Sequence, residues 1–164
     1  MSNVALVAFT ILFGINSVQA FPTKPNPVET TGELCNPTDP DFSELRYQEK
    51  IPYCKRNVEY SKRQEIYDAY RIPAKCRHRY TIDHFIPLSV GGSNDDKNLW
   101  PEHKLVKATR PNLELETYEA LKAGKISQSD AIQKIVKVKT EMKHSQITNK
   151  SFNDECDTPE IDLE

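Results

Sequence analysis

Asp83 and His84 stand next to each other, and Asn98 follows fourteen residues after the histidine. A carboxylate, an imidazole and a carboxamide are close to a minimal set for hydrolysing a phosphodiester. The carboxylate can hold a divalent cation, which neutralises developing charge and stabilises the leaving oxygen. A neutral imidazole, with an unperturbed pKa near ~6.5, can take the proton of the attacking water. Asn98 can hold the imidazole through a backbone or side-chain hydrogen bond, or ligate the metal. On a regular strand Asp83 and His84 point to opposite faces, so a strand end or bulge must bring both to one site.

The elements that position these residues can be read from pattern. Tyr80 to Phe85 alternates as a short strand that Pro87 ends. Val90-Gly91-Gly92-Ser93-Asn94-Asp95-Asp96 is a turn, Lys97 to Trp100 the returning strand, and Pro101 its close. Trp100 reads as core packing beneath this hairpin. A helix is expected from Glu102 to Thr109, broken at Pro111. A second runs from an Asn112 cap to Ala123, with Gly124 as its stop. A last helix spans Ser129 to Lys143, and its face of Ile132, Ile135, Val136, Lys139 and Met142 has the lysine as its one polar member. Upstream, Leu45 to Tyr53 has strand-like or irregular character. Ser61-Lys62-Arg63-Gln64 fits a capping box that would set Ile66, Tyr67 and Tyr70 on one helical face, with Pro73 ending the helix.

Taken together, D-H-x2-P-x3-G-G-S-N-x3-N-L-W-P resembles the HNH, or ββα-metal, nucleases, particularly their small exported bacterial members. The likeness runs from Arg46 to Pro101 and includes Arg56-Asn57-Val58, Tyr67 and Tyr70. It weakens through Leu113–Ile135, and Phe21–Asp41 and the acidic tail lie outside it. The resemblance implies an α+β fold: a small ββα-metal hairpin-helix core surrounded by further helices and stabilised by disulfides. It implies Asp83 as metal-binding carboxylate, His84 as general base, Asn98 as the middle Asn of the signature and Gly91-Gly92 as the tight loop. The signature's last member, a His or Asn metal ligand, often stands nine residues after the middle Asn, where this chain has Lys107. His103 is the candidate second ligand. Arg79, Lys107 and Arg110 are candidate contacts to the phosphate backbone. The implied cofactor is one divalent cation, Mg2+ before Mn2+ or Zn2+, and the implied products carry 5′-phosphate and 3′-hydroxyl ends.

The whole chain sets the context. Residues 1–20 carry no Lys, Arg, Asp or Glu, and an apolar run from Val4 to Gly14 leads to Val18-Gln19-Ala20. This reads as a signal peptide cleaved near Ala20-Phe21, and no later segment is apolar for long enough to span a bilayer. The expected organisation is then an extended, partly disordered segment over 21–44, a nuclease domain over 45–145 and an acidic tail over 146–164. Cys35, Cys54, Cys76 and Cys156 all survive cleavage, and an even count in an exported chain reads as two disulfides. Cys54 and Cys76 bracket one predicted helix, which favours Cys54–Cys76 with Cys35–Cys156. A zinc site lacks any C-x2-C pair.

The formal net charge is −2, but ten Lys/Arg against four Asp/Glu between Arg46 and Tyr80 make the middle basic. Five acids and no base lie in Val28–Leu45, and six acids and no base in Ser151–Glu164. A basic centre between acidic ends can steer a polyanion to one face. The leading expectation is a monomeric endonuclease, secreted or periplasmic, acting on DNA before RNA without a membrane anchor. Two others stand beside it: an HNH-like module that grips a partner or a polyanion without cutting it, and a disulfide-stabilised exported effector or inhibitor acting on a protein.

Overall fold

A computed structural model describes residues 21–141, 147 and 155–157. The expected signal peptide, Met142, the end of the last predicted helix and nearly all of the acidic tail lie outside the described residues.

The chain is a mixed α+β protein with two small antiparallel sheets and two disulfides. Strands β1 (Phe42–Arg46) and β2 (Ile51–Cys54) form the first hairpin. Helix α1 (Tyr60–Ala69) follows, then a 3-10 segment over Ala74–Arg79. Strands β3 (Tyr80–His84) and β4 (Leu99–His103) make the second hairpin, which runs directly into the short helix α2 (Lys104–Lys107). Helices α3 (Leu113–Lys122) and α4 (Gln128–Thr140) complete the body. No helix among the described residues is long and apolar enough to cross a membrane.

Two apolar clusters flank the second hairpin. Ile66, Tyr67, Tyr80, Ile82, Leu99, Trp100 and Val106 belong to one cluster, with Trp100 fully buried as the sequence predicts. Ile51, Ile86, Val90, Leu113, Leu121, Ala131 and Ile135 pack beneath α3 and α4.

Local chemistry shifts several boundaries. Helix α1 begins one residue before Ser61, with Glu59 in the cap position and no side-chain cap, so the expected capping box does not form. The helix ends before Pro73 is reached. Arg71 takes a left-handed conformation (φ 57°), and Ile72 and Arg71 donate to the Tyr67 and Asp68 carbonyls. Pro101 does not close β4. It pairs with Ile82 at a position whose nitrogen faces out of a two-stranded sheet, so the missing N–H costs no ladder bond. Helix α4 begins with a true capping box, Ser127 with Asp130.

The expected disulfide pairing is corrected to Cys35–Cys54 and Cys76–Cys156. Leu34 bridges Gly92, and the Cys35 N–H donates to the Gly91 carbonyl, which carries Cys35 to the end of β2. Cys76 sits beyond α1, beside the short turn that holds Cys156 and Asp157. The segment from Phe21 has little regular structure but is pinned well before Cys35. Phe21 is buried and stacks on the His103 ring at 3.9 Å, and Thr30 donates to the Leu99 carbonyl.

Candidate functional site

Asp83 and His84 sit at the end of β3, where the chain leaves the sheet, and both line one open cleft of 450 Å³. Arg46, Arg56, Glu114 and Tyr118 form other parts of its wall. Of the two expected solutions, a strand end and a bulge, the chain uses the strand end; mid-strand neighbours would face opposite ways.

The loop after β3 depends on Gly92 and Asn98. A Cβ at Gly92 would lie 1.8 Å from the Ile86 carbonyl oxygen, so only glycine permits this approach. Asn98 is fully buried; it accepts from the Ile86 N–H and donates to the Ile86 and Ser93 carbonyls. Its side chain is therefore spent on the loop and touches neither the imidazole nor Asp83. The catalytic role expected for Asn98 is corrected to a structural one.

Asn94 takes the place expected for Asn98. Its amide donates to Asp41 and to the Lys55 carbonyl, which fixes its oxygen towards the Asn57 N–H and His84 Nε2. Arg56 Nη1 lies 3.1 Å from His84 Nδ1, and a guanidinium can only donate. His84 is thus held neutral, with its proton on Nε2 facing Asn94 and its lone pair on Nδ1 facing Arg56. Burial pushes the imidazole below its ordinary value; Arg56 and Lys139 add to this, against Asn94 and the charge of Asp83.

Asp83 lies in a network of charges. Its Oδ1 accepts from Lys107 at 2.9 Å and its Oδ2 from Lys139 at 3.2 Å. Lys139 comes from α4, is fully buried, and also donates to the His84 carbonyl at 2.6 Å and to Glu114 at 2.9 Å. Its three protons thus meet three acceptors. Burial alone would raise the Asp83 carboxyl. Lys139 and Lys107 together hold it well below the usual carboxylate range. Glu102 stands diagonally across the hairpin on the same face. Burial and the charge of Asp83 push it up to about 8, against the opposing pull of Arg110.

The other predicted site residues separate. His103 pairs with Tyr80, an odd step from Asp83, and so faces the opposite side of the hairpin. Its Nδ1 caps α2 by accepting from the Leu105 N–H, and its Nε2 lies 3.2 Å from Asp157. The expected Asp83–His103 metal pair is therefore not formed. Arg79 turns to Asp157, away from the cleft. Arg110 is buried against Glu102. Of the three expected phosphate contacts, Lys107 alone adjoins Asp83, with a side chain 48% exposed.

These positions do not fit a divalent cation in the manner the resemblance implies. The second ligand is on the wrong face, and each Asp83 oxygen already meets an ammonium group. Among the described residues, the one group of three ligating side chains is Cys35, Asp39 and Cys54, and its two sulfurs are joined in a disulfide. Comparison of the chain with family models, curated proteins and solved structures gives no match.

Proposed function

We propose that this chain is an exported nuclease that hydrolyses phosphodiester bonds of DNA or RNA in the Asp83–His84 cleft. The observation that carries the reading is the state of His84. It is a neutral imidazole in one fixed tautomer, with its basic nitrogen at a cleft wall beside Arg56 and next to a charge-compensated carboxylate. Such a nitrogen can take a proton from water while cationic side chains attract the phosphate. In the reaction, water gives its proton to Nδ1 as its oxygen bonds to phosphorus. The bond from phosphorus to the 3′ oxygen breaks, and solvent at the open cleft protonates that oxygen. Asp83 and Lys139 hold the His84 backbone in place. The two disulfides suit an oxidising compartment, which supports export.

Purified full-length chain incubated with plasmid DNA and with RNA, in EDTA and with Mg2+, Mn2+ or Zn2+, tests this. Wild type is expected to cut at least one substrate and His84→Ala to lose the activity. Intact substrates in every arm with wild type would overturn it. The reading as a binding module draws on one observation: both Asp83 oxygens and both His84 nitrogens are already engaged. It predicts nucleic-acid binding that His84→Ala leaves unchanged, with no cleavage by either protein.

A further inference from the structure

Arg56 is an exposed residue two positions beyond β2, and its guanidinium bridges two groups of β3. Nη1 donates to His84 Nδ1 at 3.1 Å and Nη2 to the Ile82 carbonyl at 2.8 Å. No carboxylate among the described residues lies within ion-pair distance of it. Its cationic neighbours are different: Arg46 pairs with Glu44 at 2.7 Å, Lys107 with Asp83, and Lys139 with Asp83 and Glu114. A guanidinium has five N–H donors, so Arg56 keeps donors to spare at the cleft wall. Its present partners are a neutral ring nitrogen and a neutral carbonyl. An oxyanion would bind the same fork more strongly, because both charges then contribute and the geometry allows two parallel bonds.

We propose that Arg56 anchors the scissile phosphate and that this same contact uncovers the base. In the free protein the Nη1–H occupies the lone pair of His84 Nδ1, so the imidazole cannot accept a proton. When a non-bridging phosphodiester oxygen takes that N–H, the guanidinium swings to the anion and Nδ1 opens towards the attacking water. The Nε2 side does not change, because Asn94 holds it from Asp41 and Lys55. The base is thus available only when a phosphate is in place. This assignment rests on the reading of the cleft as a phosphodiesterase site, but its first consequence is a binding event that needs no turnover.

The test is 15N NMR of the His84 ring in the full chain, titrated with inorganic phosphate in one arm and a short single-stranded oligonucleotide in another. In wild type the oligonucleotide is expected to move the Nδ1 resonance towards that of a ring nitrogen without a hydrogen-bond donor. In Arg56→Ala the resonance should begin at that position and stay there. Arg56→Lys keeps the charge without the fork, and should bind oligonucleotide more tightly than Arg56→Ala but less tightly than wild type. In cleavage assays Arg56→Ala should raise KM by at least tenfold. An Nδ1 resonance that ignores the oligonucleotide in wild type would overturn the proposal. So would a response to inorganic phosphate with none to the oligonucleotide, or an oligonucleotide affinity equal in all three proteins. The resonance and binding arms stand even if no protein cuts nucleic acid, so failure of the nuclease reading and failure of the Arg56 assignment are distinguishable.

Discussion

Lys139→Met probes the network beneath the cleft most directly. The lysine side chain is 0% exposed, and its ammonium serves Asp83, the His84 carbonyl and Glu114. Methionine fills much of the space of the lysine stem, and its burial returns about 2 kcal/mol at most. Against this, Asp83 keeps only the partly exposed Lys107, and the His84 carbonyl loses its lysine donor. Breaking a buried ion pair from one side costs about 3–5 kcal/mol, and an unsatisfied buried acceptor about 1–3 kcal/mol more. The loss wins, and a net destabilisation of about 3 kcal/mol is expected at pH 7. Urea unfolding followed by circular dichroism measures it. With a slope of about 2 kcal/mol/M the midpoint falls by about 1.5 M. Lys137→Met, an exposed position on the same helix, should stay within about 0.5 kcal/mol of wild type. Asp83→Asn added to Lys139→Met should recover much of the loss, because the uncompensated charge is then gone. The pH dependence has a definite sign. A carboxyl depressed on folding contributes stability above its unfolded value that is lost as pH falls. Without Lys139 the folded Asp83 carboxyl takes up its proton at a higher pH than in wild type, so the gap between Lys139→Met and wild type should narrow as pH falls towards the depressed wild-type value. A single variant within about 1 kcal/mol of wild type, or a double variant less stable than the single, would refute the reasoning.

Two further perturbations address the same cluster. Glu102 is raised on folding from 4.5 to about 8, so it favours the folded state at low pH and that contribution fades as pH rises through this window. Glu102→Gln cannot ionise, so its melting temperature relative to wild type should rise between pH 5 and pH 9; parallel curves would show that the Glu102 carboxyl is not raised on folding. Lys107→Ala removes the exposed ammonium from Asp83 Oδ1 and, with Lys139 still on Oδ2, should lower stability in urea unfolding by no more than about 1 kcal/mol. A loss above about 2 kcal/mol would show that Lys107, not the buried Lys139, carries the compensation of that carboxylate.

Sequence by itself determined the second hairpin and the neighbourhood of Asp83 and His84. Alternation, the Gly91-Gly92 turn and the prolines are local signals, and they place Asp83 and His84 at a strand end where both can reach one cleft. The fall of Trp100 into the core and the helices α3 and α4 follow from equally local periodicity and the Gly124 stop, although Asn112 makes no side-chain cap and Ser127 caps α4 instead of a start at Ser129. Partner choice was decided by the tertiary structure. Asn94 and Asn98 look equivalent in the motif, and only the packing of the Asp41 and Lys55 segments against the loop gives the imidazole to Asn94. His103 lies close to Asp83 in sequence spacing, yet strand parity sends it to the opposite face. Lys139 left one trace, a single lysine on an apolar helical face, but nothing local says that its ammonium ends on a carboxylate 56 residues away. Cys54 and Cys76 flank one helix and still pair elsewhere, because the bridge from Leu34 to Gly92 and the turn at Cys156 supply nearer sulfurs. Short-range sterics and periodicity act along the chain and can be read there. Ion pairs, disulfides and hydrogen-bond partners depend on which surfaces meet, and that is settled only when the two hairpins and α4 pack together.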